Sequence, residues 1–127
     1  MRVYMGFRIA GVCHVYKWDA EHPQRPQRLD MRNDLRNHSA TGPEWGYCGS
    51  GPAQLALALV ADALDDDGRA LDIYQRVKTR LQVMMPRDCW SLTRDQVCGL
   101  VLEVEQDQCN EEERLARLNS RKEGREG

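Results

Sequence analysis

Apolar positions change their period twice along the chain. Val3, Tyr4, Phe7 and Ile9, then Val12, Val15, Tyr16 and Trp18, are residues that favour strands, and Ala10-Gly11 between them is a turn signal. The second run alternates imperfectly, and the pair reads as a two-stranded hairpin. From Glu21 to Glu44 aliphatic residues almost vanish, while Pro23, Pro26, Gly42 and Pro43 punctuate a run rich in Arg and Asn. That is a long loop. A structureless stretch of over 20 residues inside a compact domain is unusual and tends to be functional or disordered.

The period then becomes helical. Ala53 to Leu64 is built from Ala and Leu, the strongest helix formers, with apolar residues all the way round. This helix should be buried on most faces. Pro52 suits its first turn, and Ser50 or Gly51 is the expected cap. Asp65-Asp66-Asp67-Gly68 interrupts the chain and places carboxylates at the start of a second helix. There Leu71, Tyr74, Val77, Leu81 and Met84 recur on one face until Pro86. Thr93 with Gln96 has the capping-box spacing, and Leu92 with Val97 the spacing of a hydrophobic staple. A third helix follows, with Val97, Leu100, Val101 and Val104 as its apolar face. The expected architecture is α+β: an N-terminal β-hairpin, a long ordered loop, and a three-helix cluster with a buried first helix. Residues 1–106 form one compact domain, and 107–127 a polar helical extension that frays at its C-terminus.

Composition adds limits. At 127 residues and 41% apolar the chain is long enough for one domain with its own core. Twenty acids against 18 bases exclude a histone-like polyelectrolyte. The balance is uneven, however: +3 over residues 1–40, −2 over 41–90 and −3 over 91–127. The start lacks the continuous apolar block of a signal peptide, and no run reaches the ~18 apolar residues of a membrane span. The five cysteines, Cys13, Cys48, Cys89, Cys98 and Cys109, have irregular spacing and no Cys-x-x-Cys. With His14, His22 and His38 they match no zinc pattern, so reduced thiols in a cytoplasmic protein, with no metal and no cofactor, are expected.

The densest chemistry lies between Arg36 and Leu55. Arg36, Asn37, His38, Ser39, Glu44, Trp45, Tyr47, Gly49, Ser50, Gly51 and Gln54 are the candidate binding residues. They combine polar side chains, two aromatics and a Gly-Ser-Gly turn at a helix start, whose amides suit an anion. The glycine spacing fits neither a P-loop nor a dinucleotide fingerprint. The runs Leu35-Arg36-Asn37-His38-Ser39, Thr41-Gly42, Glu44-Trp45-Gly46-Tyr47 and Gly49-Ser50-Gly51-Pro52-Ala53-Gln54-Leu55-Ala56 resemble the signature of a small bacterial and phage family known only as domain of unknown function 6166. Looser similarity runs through Arg69-Ala70-Leu71, Tyr74-Gln75, Pro86-Arg87-Asp88 and Trp90-Ser91-Leu92-Thr93. Pro43 and Cys48 depart from the family pattern, standing where an aromatic and a glycine are expected. The resemblance implies a stand-alone intracellular domain often carried by phages and mobile elements. It implies no activity, and so no catalytic residues.

His38, Ser39 and Glu44 carry the residue types of a hydrolase triad, but such a triad is defined by geometry. The reading leans away from an enzyme. Arg25, Arg28, Arg32 and Arg36 could meet phosphates, yet Asp30 and Asp34 sit among them. Pairing of these arginines with the acidic helices is the simpler expectation. Asp62, Asp65, Asp66, Asp67 and Asp72 form an acidic corner that could dock on a basic partner. The functional expectation is therefore a non-enzymatic protein-interaction module, encoded by a phage or mobile element and acting on a host protein or defence complex. The alternatives are a small-anion or nucleotide site at Gly49–Pro52, or nucleic-acid contact through the Arg25–Arg36 loop. A homodimer through the second or third helix is left open.

Overall fold

A computed structural model describes residues 1–47 and 49–126, with side chains through residue 122; Cys48 and Gly127, and the end of the anticipated fray, lie outside them. Strand β1 (Arg2–Ile9) and strand β2 (Val12–Asp19) form the expected antiparallel hairpin. Ala10 and Gly11 both take positive φ, 51° and 78°, the backbone of a tight primed turn between right-twisted strands. Two further strands complete the sheet. The two-residue β3 (Gln27–Arg28) pairs with β2, and β4 (Cys89–Thr93) pairs with β1, giving the order β3-β2-β1-β4. The hairpin anticipated from the sequence is thus the centre of a four-stranded antiparallel sheet.

Helices α1 (Ser50–Leu64), α2 (Asp67–Val83) and α3 (Arg94–Glu126) follow. From Gly51 to Ala61 every residue of α1 is buried, as its all-round apolar character requires. It packs against α2 and α3 and against one face of the sheet, where Tyr4, Val15, Trp90 and Leu92 join the same core. Neither Ser50 nor Gly51 caps α1. Gly49 is its N-cap, with no side-chain bond, and Asp65 closes it in the left-handed region, its N–H donating to Ala61. The Asp66 side chain caps α2 by accepting from Arg69 N at 3.0 Å. The capping box forms in full: Gln96 N donates to Thr93 Oγ1 at 3.1 Å and Thr93 N to Gln96 Oε1 at 2.8 Å. Leu92 and Val97, the staple pair, are both buried.

Strand parity gives the sheet two distinct sides. Tyr4, Gly6, Cys13, Val15, Trp90 and Leu92 point to the helices. Val3, Met5, Phe7, Ile9, Val12, His14, Tyr16, Trp18 and Ser91 point the other way, and among the described residues no helix packs on that side.

Candidate functional site

The loop between β2 and α1 is held in place by the motif residues themselves. Gln54 is completely buried on α1. Its Oε1 accepts from His38 N at 2.7 Å and Ser39 N at 3.3 Å, and its Nε2 donates to the Met31 carbonyl. One amide thereby substitutes for the backbone partners that an irregular loop lacks. Asn33 Nδ2 braces the same turn, donating to Asn37 Oδ1 and the Ser39 carbonyl, both at 2.9 Å. His38 Nε2 meets Tyr74 Oη of α2 at 2.5 Å. Because Gln75 Nε2 donates to that hydroxyl, the hydroxyl proton is free to point at His38, leaving Nε2 as the acceptor of a neutral ring. Burial, with Arg36 and Lys78 nearby, holds the His38 pKa below its ordinary value.

The second half of the motif ties the loop to the sheet. Trp45 is fully buried; its Nε1 donates to the Arg87 carbonyl at 3.0 Å, and its ring meets Trp90 edge-on at 5.5 Å. Arg8 lies over the Trp45 ring, 4.9 Å from its centroid, and donates to the Trp45 and Arg87 carbonyls at 2.8 Å each. Glu44 sits 3.6 Å from Arg8 and accepts from Cys13 Sγ at 3.5 Å. Burial, then the Glu44 contact, pushes the Cys13 thiol up to about 11, which leaves it protonated and unreactive at neutral pH. Gly46 N donates to Gln82 Oε1 at 2.8 Å.

At the helix start, a Cβ on Gly51 would stand 2.6 Å from Glu44 Cβ and 3.0 Å from Tyr47 Oη. Glycine is required there for this close approach. Arg36, Asn37, Tyr47 and Ser50 are the exposed members of the candidate set. His38, Ser39 and Glu44 each turn to a different partner: Tyr74, Thr41, and Arg8 with Cys13. No hydrogen bond joins these three residues among those described. His38, Ser39, Glu44, Trp45, Gly46 and Gln54 together fasten the loop to α1, α2 and the sheet.

The acidic corner and the arginine loop are also engaged. Asp62 accepts from Tyr4 Oη at 2.6 Å, Lys17 Nζ at 2.6 Å and Arg2 Nη1 at 3.0 Å. Burial alone would raise its pKa; the Lys17 and Tyr4 hydrogen bonds outweigh that and hold it below the usual carboxylate range. Burial and the same carboxylate push the Tyr4 hydroxyl well up. Arg32 pairs with Asp34 and, across the fold, with Asp67, the loop-to-helix pairing anticipated from the charge pattern. Among the described residues no group of three or more His, Cys, Asp or Glu could hold a metal ion.

What the motif left unmarked is the outer sheet face. Phe7 stacks on His14 at 5.3 Å and on Tyr16 at 5.8 Å with ring planes 5° apart, and Arg28 Nε donates to Tyr16 Oη at 3.4 Å. The signal was present in the sequence: apolar residues occupy both parities of β1 and β2, more than a one-sided sheet needs.

Together these observations define a small α+β domain, a half-covered sheet on which a polar loop is fastened to a buried helix. The chain belongs to the family of unknown function DUF6166, which matches residues 4–103 and so takes in the sheet from Tyr4 on, the fastened loop, α1, α2 and the first turns of α3. No curated protein and no solved structure matches it. No helix among the described residues is long and apolar enough to cross a membrane.

Proposed function

We propose that the protein is a non-enzymatic interaction module that engages another macromolecule through the solvent face of its sheet. The observation that carries this reading is the uncovered apolar and aromatic side of β1 and β2, where Met5, Ile9 and Val12 are 39%, 59% and 56% exposed. Isolated apolar residues on a surface need no explanation, but a contiguous patch of this kind marks interaction sites. The other candidates support it by elimination. The motif fastens the loop, and three of the five acids of the corner serve the fold: Asp62 in the Tyr4 network, Asp66 as a cap and Asp67 with Arg32. A cytoplasmic setting is part of the proposal and rests on the free thiols of Cys13, Cys89, Cys98 and Cys109.

The test is affinity capture from cell lysate by the parent chain and by a Met5→Ser/Ile9→Ser variant. Both side chains are exposed, so the variant should melt within about 0.5 kcal/mol of the parent. Removing two apolar contacts should reduce retained protein or nucleic acid about tenfold or more. Equal retention by a folded variant overturns the reading.

A further inference from the structure

This inference rests on the interaction reading and names the occupant of the sheet face. The twelve outward positions are Val3, Met5, Phe7 and Ile9 of β1, Val12, His14, Tyr16 and Trp18 of β2, Arg28 of β3, and Cys89, Ser91 and Thr93 of β4. In a chain with 20 carboxylates, none falls on this face. Its charged residue is Arg28, which lies beside Tyr16, and the His14 ring lies beside Phe7. Three of the rings, His14, Tyr16 and Trp18, follow one another along a single strand. Alternate strand residues repeat at about 6.8 Å, so the rings form a row rather than a cluster. Phe7 widens that row onto the neighbouring strand.

Trp18 also lines a cleft of about 380 Å³, together with Arg2, Lys17 and Asp19, which have the helix-side parity, and with His22 and Arg25. Arg2 and Lys17 are held by Asp62 on the helix side. Arg25 makes no ion pair among the described residues.

We propose that this face is a stacking platform for single-stranded nucleic acid, with bases laid on Phe7, Tyr16 and Trp18 and phosphates met by Arg28 and Arg25. Every base offers a flat π-face to an aromatic ring, and a basic flank tracks the backbone without reading sequence. A face of flat rings, free of carboxylates and edged by guanidinium groups, is complementary to an unpaired polyanion. A second copy would instead have to bury two Arg28 against an identical face, with no carboxylate opposite them. The occupant inferred here therefore differs from the host protein anticipated from the sequence. It also moves the phosphate contacts from the whole arginine loop to its β3 end, since Arg32 is held by Asp34 and Asp67.

The full chain is titrated into fluorescently labelled 12-nucleotide oligo(dT) and oligo(U), and anisotropy is read between 50 and 200 mM salt. Binding that weakens with salt is expected, with a log–log slope of about −1.4 if two phosphate contacts form. Tyr16→Leu keeps an apolar side chain but loses the stacking surface, and should weaken binding about 10-fold. Its folding is checked by circular dichroism. Should Tyr16→Leu fail to fold, Arg25→Gln and Arg28→Gln report instead, each reducing the salt slope by about 0.7. A preference for oligo(U) over oligo(dT) or the reverse assigns RNA or DNA as the source.

Absence of binding to both oligomers at 50 mM salt overturns the proposal, as does equal binding by folded Tyr16→Leu. A parent dimer in light scattering that Phe7→Lys dissociates also overturns it, in favour of a second copy on this face. Where the oligomers fail but Met5→Ser/Ile9→Ser still abolishes capture of a protein, the nucleic-acid inference falls and the interaction reading stands. Where that variant captures as well as the parent, both fall.

Discussion

Gln54 shows how one buried polar side chain can organise a loop of some thirty residues. Its three hydrogen bonds fasten the turn at Met31–Ser39 to the helix with the fewest exposed residues. Gln54→Leu removes all three bonds while preserving volume, leaving two amides and a carbonyl without their partner. A loss of about 3 kcal/mol in urea unfolding is expected, since each buried unsatisfied group costs about 1–3 kcal/mol. Asp62 is the counterpart on the sheet side. Its pKa is depressed in the folded state, so it contributes stability that is fully present above the unfolded aspartate value, about 3.9, and is lost as pH falls through the folded value. Asp62→Asn should cost about 2 kcal/mol at pH 7. Its unfolding free energy should also fall less steeply than the parent's below about pH 4. Parallel melts at pH 7 and pH 3 that show the same gap between the two proteins would contradict this account.

Among the elements, those specified by local rules were legible in the sequence. Alternation and a left-handed dipeptide mark the β1–β2 hairpin, and Thr93, Gln96, Leu92 and Val97 mark the start of α3 before any tertiary contact is known. Strand β4 was not legible. Its five residues follow a helix and a proline and become a strand only because β1 offers an edge, with Trp90 filling the space over Gly6. A Cβ at Gly6 would lie 2.3 Å from the Trp90 ring, so a distant residue explains the glycine. The two buried tryptophans differ in a measurable way. Trp45 Nε1 donates to Arg87, whereas Trp90 Nε1 is buried without a hydrogen-bond partner among the described residues. Trp45→Phe should therefore destabilise by about 1 kcal/mol more than Trp90→Phe in denaturant titrations.

For the whole molecule, the +3 of residues 1–40 and the −5 of the remainder acquire a spatial meaning. Part of that difference is internal, as in Arg32–Asp67, Arg2–Asp62 and Lys17–Asp62. What is left over is divided as well, with the outer sheet face free of carboxylates and α3 acidic, nine acids against six bases. The candidate binding motif was legible as a unit because its members are close in sequence and chemically unusual. Its role was not legible, because Arg8, Arg87, Tyr74 and Gln82, which turn it into a fastening, come from three other segments: β1, α2 and the connection from α2 to β4. The same holds for the outer face: alternation reveals that both sides of β1 and β2 are apolar, but only the assembled helices show which side remains bare.

Helix α3 gives the molecule an elongated outline. Its 33 residues extend about 50 Å, and the turns beyond Gln108 stand clear of a body whose radius of gyration is about 13 Å. Such a particle meets more friction in water than a sphere of its mass, and it tumbles faster about the long axis of the rod than across it. A monomer will therefore leave a gel-filtration column early, at the position of a heavier globule. Elution volume alone would count one chain as two, whereas scattered-light intensity, which follows mass, would count it correctly.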